Sequence, residues 1–202
     1  MRESREHVRF ASVADFLERV PIDCPHELFR DSERASQTPL AKIKTSRLIV
    51  VEKENFATRM AGLVIPTVGD NRLRHEALQR FMLANDTATL AVEVPIWLAR
   101  DAIAELEREH RVVLLPEGAT GSLTGHIDFL QVRNRAVHIL DYKPDARTNR
   151  PIAQLTVYAL ALTKLVPGLK LFDIKCAWFN EEEYCEFFPR TLLARHRERS
   201  AA

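Results

Sequence analysis

Three charged residues interrupt otherwise apolar segments near the middle of the chain: Asp128 in GHIDFL, and Asp141 and Lys143 in ILDYKPD. Buried charge is costly unless it is paired or bound to an ion. Asp141 and Lys143 are two residues apart, so on an extended strand they share one face. The place of Asp128 depends on the turn through RNRA. A two-residue turn at Arg133 and Asn134 sets Asp128 opposite Ile139, and a four-residue turn from Arg133 to Ala136 sets it opposite Asp141. Both registers keep Asp128 on the face of Asp141 and Lys143, whereas a three-residue turn sends it to the other. Two carboxylates so close repel, and one stays protonated unless a cation lies between them. A few hard oxygen ligands suit Mg²⁺ or Mn²⁺. Such an ion activates water and stabilises charge on a phosphate. A lysine beside it supplies compact positive charge for the water or the scissile phosphate. The plain alternative is an Asp–Lys ion pair in a structural hairpin. Gln154 and Tyr158 form a second set. They are four residues apart, on one face of a helix, and are polar within PIAQLTVYALALTKL.

These residues need elements to hold them. Asp70 is a plausible N-cap for a helix on which Leu73, Ala77, Leu78, Phe81 and Met82 recur at helical spacing, ending at Asn85 and Asp86. Leu90 to Leu98 alternates as a strand, with Val92, Val94 and Ile96 pointing one way and Glu93 and Trp97 the other. Ala102 to His110 reads as a surface helix, and Val112 to Leu115 as a further strand. Pro116, Gly118, Gly121 and Gly125 mark a turn-rich loop. Two strands follow, His126 to Val132 and Val137 to Lys143, with Asn134 suited to the turn between them. Pro151 opens a helix that runs to about Val166. Leu171 to Phe179 is a strand, Asn180 and three glutamates form a turn, and Tyr184 to Phe188 returns. TLLARHRER is a basic helical tail. Before residue 60 the pattern is faint: a short helix from Val13 to Val20 with Ser12 as its cap and Asp15 placed as in a capping box, a polar loop over Arg30 to Gln37, and a strand over Arg47 to Glu52. The expected fold is mixed α/β, with a core order α-β-β-β-α-β around a central mixed sheet flanked by helices.

Taken together, the sequence resembles the PD-(D/E)XK nuclease superfamily, and within it the RecB-like branch that includes CRISPR-adaptation nucleases. GHIDFL looks like the family's G-x-x-D strand, LDYK like its D-x-K strand, and QLTVYALAL like the QxxxY helix of that branch. The likeness runs from about Asp70 to Phe188. It implies a restriction-endonuclease-like core, expected over residues 61–202; it does not explain residues 1–60, which are expected as an N-terminal extension packed on that core. It also implies roles: Asp128 and Asp141 as metal ligands, Lys143 as the catalytic lysine, and Gln154 and Tyr158 as site residues. Members of the branch carry a metal-binding histidine on the first core helix, where His75 stands in LRHEALQRFM, with its neighbour Glu76 as a competing candidate. Glu93 in AVEVPI resembles the acid that some members place near the site. Some relatives hold an iron–sulfur cluster on four cysteines. This chain has only Cys24, Cys176 and Cys185, so no cluster is expected, and the three read as buried small hydrophobes.

Composition sets the bounds. The chain has 202 residues, 46% hydrophobic and 28% charged, with a net charge of +1. That suits one globular domain and argues against disorder. No apolar run approaches a membrane span, MRESREHVRF does not read as a signal peptide, and few cysteines point to a reducing, cytoplasmic setting. No phosphate-binding loop, zinc-finger spacing or GxSxG element occurs. On that resemblance, the near-zero charge is expected to be a cancellation between acids at a metal and arginines around it. Arg133, Arg135, Arg147 and Arg150 surround the hairpin, and Arg72, Arg74 and Arg80 flank His75; near a phosphodiester they would track the backbone. His126 and His138 are read as structural. The expected activity is Mg²⁺- or Mn²⁺-dependent hydrolysis of DNA phosphodiesters, in repair, recombination or mobile-element defence. DNA is the expected partner, and a helicase or another nucleic-acid-processing protein a further candidate. The alternative is a catalytically inactive nucleic-acid-binding or assembly subunit on the same fold.

Overall fold

The computed structural model describes residues 10–38, 50–119 and 121–193. In chain order the elements are α1 (Ala11–Asp23), α2 (Leu28–Asp31), β1 (Glu33–Arg34), β2 (Val51–Glu52), α3 (Phe56–Val64), α4 (Arg74–Asn85), β3 (Thr89–Leu98), α5 (Arg100–His110), β4 (Leu123–Arg133), β5 (Ala136–Tyr142), α6 (Ile152–Leu165), β6 (Ile174–Phe179) and β7 (Tyr184–Phe187). The run α4-β3-β4-β5-α6-β6 is the expected core order, with α5 inserted between the first two strands. Among the described residues the strands form one mixed sheet of seven, ordered β1-β4-β5-β6-β7-β2, with β3 also pairing β4. β5 and β6 run parallel, joined through α6, as a crossover helix allows.

Two apolar clusters sandwich the sheet. On one face Val94, Ile96, Ile127, Leu130, Val137 and Ile139 pack with Leu155, Ala159 and Leu162 of α6. On the other, Phe129, Leu140, Phe179 and Tyr184 meet Ala57, Met60 and Ala61 of α3 and Leu78 and Met82 of α4. The helices therefore flank the sheet, because β4 to β7 bury side chains on both faces.

The turn between β4 and β5 is the two residues Asn134 and Arg135, both at positive φ (50° and 61°), with Arg133 paired to Ala136. This is the primed turn whose twist suits a hairpin. It sits one residue later than a turn at Arg133 and Asn134, and it produces the register of the four-residue alternative. Continued past Phe129↔Leu140, that register sets Asp128 opposite Asp141.

Several local expectations are corrected. Val112–Leu115 is not a strand: Glu107 Oε1 accepts from the Leu114 amide at 2.7 Å, and the Thr38 hydroxyl donates to the Leu114 carbonyl at 2.8 Å. Side chains thus satisfy a backbone that a neighbouring strand would otherwise serve. Residues 171–173 form a 3₁₀ turn before β6, with the Lys170 amide donating to Asp173 Oδ2 at 3.2 Å. α1 begins at Ala11, so Ser12 lies inside it and Phe10 is the capping position without a side-chain cap. The span 30–37 is not simply a loop: it closes α2, forms β1 and then a 3₁₀ turn over Ala35–Gln37. α3 was not anticipated, although Asn55 caps it by accepting from the Ala57 amide at 2.9 Å. Of the strand expected over 47–52, residues 47–49 lie outside the described residues. So does most of the expected tail helix, of which residues 191–193 are helical.

Candidate metal centre

β4 is shared unevenly between its neighbours. β5 pairs it over Phe129–Arg133, and β1 pairs it in parallel at Leu123 and Thr124. Between those stretches the strands fork, and β4 keeps only β3 on its other side. Asp128 stands at the fork. The Tyr142 amide, with no strand carbonyl to meet, donates to Asp128 Oδ2 at 3.2 Å. A carboxylate thereby replaces a missing ladder bond.

β3 breaks at the same level. Glu93 has φ +51°, a left-handed conformation that an L residue rarely adopts. The break reverses the pleat. Val94 and Ile96 join the α6-side core, while Val92 packs against the opposite cluster. This corrects the expectation that all three point one way. Glu93 is thereby set level with Asp128, between Val92↔Phe129 and Val94↔Ile127.

α4 supplies the third residue. His75 Nε2 shares a hydrogen bond with Asp128 Oδ2 at 2.8 Å. One ligand atom each of His75, Glu93 and Asp128 lie within 4.8 Å of one another. Glu76 is not among them: it is half exposed and pairs with Arg80 at 2.6 Å. Asp141 joins from β5, 2% exposed. Its Oδ1 accepts from Lys143 Nζ at 2.9 Å, and its Oδ2 meets no donor among the described residues other than a proton shared with Asp128. From α6, Gln154 Nε2 donates to the Tyr158 hydroxyl at 2.7 Å. All seven expected site residues thus surround the fork, held by five elements and the Lys143 position just past β5.

Charge is finely opposed here. Burial raises the Asp141 carboxyl well above the usual range, and the Asp128 charge adds to this against the pull of Lys143. Burial also works to raise Asp128, but the hydrogen bond and charge of His75 leave it lowered. His75 is the mirror case: burial lowers it, yet Asp128, Glu93 and Asp141 leave it raised. Burial lifts the Tyr158 hydroxyl to about 12, opposed by Gln154 and reinforced by the two aspartates. A buried carboxyl held against a second carboxylate is the environment that a divalent cation relieves. The imidazole of His75 and the carboxylates of Glu93 and Asp128, with the Asp141 carboxyl beside Asp128, are a fitting donor set for Mn²⁺ or Mg²⁺.

Two supporting residues, Gln79 and Tyr142, escaped the sequence, and Gly125, expected in the loop before β4, lies within that strand. Gln79, one turn after His75, donates to Glu93 Oε1. Tyr142 places its ring 6.0 Å from that of His75 and donates its hydroxyl to Glu181 at 3.0 Å. Gly125 leaves room for Tyr158: a Cβ there would lie 2.6 Å from the tyrosine Cε1. The i, i+4 spacing of His75 and Gln79 was the available signal for the first. The arginines are largely tied to local groups, Arg147 to Glu183 at 2.8 Å and Arg72 to Asp70 at 3.0 Å, while Arg74 donates to the Val68 carbonyl. His138 is buried in the sheet, and His126 is exposed with its ring 5.2 Å from Phe29.

A forked mixed sheet with carboxylates, a histidine and a lysine at the fork defines a protein of the restriction-endonuclease-like class. The chain belongs to the PD-(D/E)XK nuclease superfamily, whose family model matches residues 26–188. That match begins well before Asp70, where the likeness read from the residues starts, and it includes β1 and β2. No curated protein matches the chain significantly.

Proposed function

We propose that this nuclease-superfamily chain is a Mg²⁺- or Mn²⁺-dependent deoxyribonuclease of the RecB-like branch, acting in the cytoplasm in DNA repair, recombination or mobile-element defence. A helicase or another nucleic-acid-processing protein is the partner class such an enzyme serves. The observation that carries the reading is the close carboxylate pair at the fork: the buried Asp141, whose Oδ1 Lys143 holds, has its other oxygen beside Asp128 with no other donor among the described residues to meet it. A structural Asp–Lys hairpin does not need a second carboxylate at that oxygen, since two close carboxylates repel or must share a proton.

His75, Glu93, Asp128 and Asp141 are the residues that would hold the ion. Bound there, a divalent cation supplies positive charge for the phosphate oxygens and eases deprotonation of a water. The chain's own groups do the rest. Lys143, fixed by Asp141, presents ammonium protons to the attacking water or to the scissile phosphate, where negative charge grows as phosphorus is attacked. Tyr158 keeps its proton and, fixed by Gln154, presents a neutral hydroxyl beside the two aspartates. The Phe129 and Tyr142 rings close the inner wall behind His75, which limits how far the imidazole can swing.

The test is cleavage of plasmid, linear duplex and single-stranded DNA with Mg²⁺ or Mn²⁺. Asp141→Ala should fall to background, and Lys143→Ala should lose about 10²–10³-fold in rate. Undiminished cleavage by either variant would sink the assignment. DNA binding without Mn²⁺ binding at millimolar concentration would instead favour the inactive binding subunit.

A further inference from the structure

Glu93 is the odd member of the ligand set. Asp128 is fixed by His75 and the Tyr142 amide, and Asp141 by Lys143. Glu93 is an exposed residue on a left-handed backbone, with a longer and freer side chain. What meets it is Gln79. That side chain is 4% exposed, lies on α4 one turn beyond His75, and directs its Nε2 donor at Glu93 Oε1. Residues four apart on a helix share a face. His75 and Gln79 therefore reach the fork as a pair, one to Asp128 and one to Glu93.

We propose that Gln79 is a positioning residue that fixes the Glu93 carboxylate for cation binding; this rests on the metal reading above. The chemistry of the pair supports it. A lysine or arginine at 79 would hold Glu93 equally well but would cancel its charge. An amide N–H orients a carboxylate and leaves the negative charge for the cation. Burying an amide is worthwhile only where it finds a partner. The partner here is a group whose backbone already stands in a strained conformation beside the site, the usual setting of a functional constraint. Partners of this kind, one bond behind a ligand, typically change metal affinity 10–100-fold when removed.

The experiment is calorimetric titration of the full chain with Mn²⁺, without DNA, so that the readout is binding rather than turnover. Gln79→Met keeps the side-chain shape and removes the donor. Its affinity should fall 10–100-fold with the melting temperature of the metal-free protein little changed. In a Glu93→Gln background the same substitution should cost nothing further, because the carboxylate it serves is gone. A merely structural glutamine would not show that coupling. Unchanged affinity in Gln79→Met, or an equal loss in both backgrounds, overturns the positioning role while leaving the metal site standing. Wild-type protein that binds no Mn²⁺ removes the metal reading and this inference with it. Should Gln79→Met not fold, Gln79→Asn, one methylene shorter, draws the donor back from Glu93 and is read in the same way.

Discussion

Asp141 is stressed in the protein without metal. Its carboxyl is buried, faces the charge of Asp128, and has its pKa raised well above 3.8 despite Lys143. An acid whose folded pKa is raised contributes stability below its unfolded value and loses it as the pH climbs through the folded one. Metal-free protein should therefore weaken as pH rises from below 4 toward neutrality on this account. Asp141→Asn removes the titration and the repulsion together. In EDTA at pH 7 the variant should melt higher than wild type, and the gap should close on acidification. Added Mn²⁺ should raise the melting temperature of wild type and not of the variant. Thermal melts across pH, with and without metal, check both.

At the scale of elements, the β4–β5 turn matters most, because a one-residue slip would move Asp128 to the opposite face from Asp141. Asn134 and Arg135 both occupy left-handed backbone. Asparagine accepts this, while arginine does so at a cost that glycine avoids. Arg135→Gly makes the favoured Asn-Gly turn and should stabilise the fold by about 0.5–1 kcal/mol in urea unfolding, with the register and cleavage intact. The hairpin was legible in sequence because a turn residue lay between two apolar runs. The turn's offset was not, because local sequence admitted several turn lengths. The break at Glu93 was hidden for a related reason: alternation assumes an unbroken pleat, and one left-handed residue reverses it. α3 was passed over although Asn55 and the spacing of Ala57, Met60, Ala61 and Val64 follow the helical rule.

Across the whole molecule, the two helical layers shut a sheet that includes one buried base. His138 is 2% exposed, and neither ring nitrogen finds a partner among the described residues. Burial, with the charge of Lys175, lowers its pKa from 6.5 to about 4, opposed by Glu186 and assisted by Arg133 and Lys53. A base depressed in the fold stabilises above its unfolded pKa, and that stability is lost as pH falls through the folded value. The window is therefore pH 6.5 down to about 4, and the loss is on the order of 3 kcal/mol. His138→Leu should flatten that limb of the stability curve, measured by denaturant unfolding at pH 7, 5.5 and 4.

Sequence alone determined the chemistry on offer: two acids and a lysine in apolar strands, a histidine on the preceding helix, a glutamine and tyrosine on the following one, and the order of the elements that carry them. Those follow from residue type and short-range periodicity, which are properties of a few neighbouring residues. Only the tertiary structure decided which of them meet. The fork that frees the Tyr142 amide for Asp128 depends on β1 and β5 sharing one edge of β4, a pairing across nearly a hundred residues. The choice of His75 over Glu76 depends on which side of α4 faces the sheet. The Asp141 carboxyl is buried against Asp128 because both layers close around it. Burial and long-range pairing belong to the assembled sheet, so the electrostatic tension that makes the site a candidate metal centre appears only with the fold.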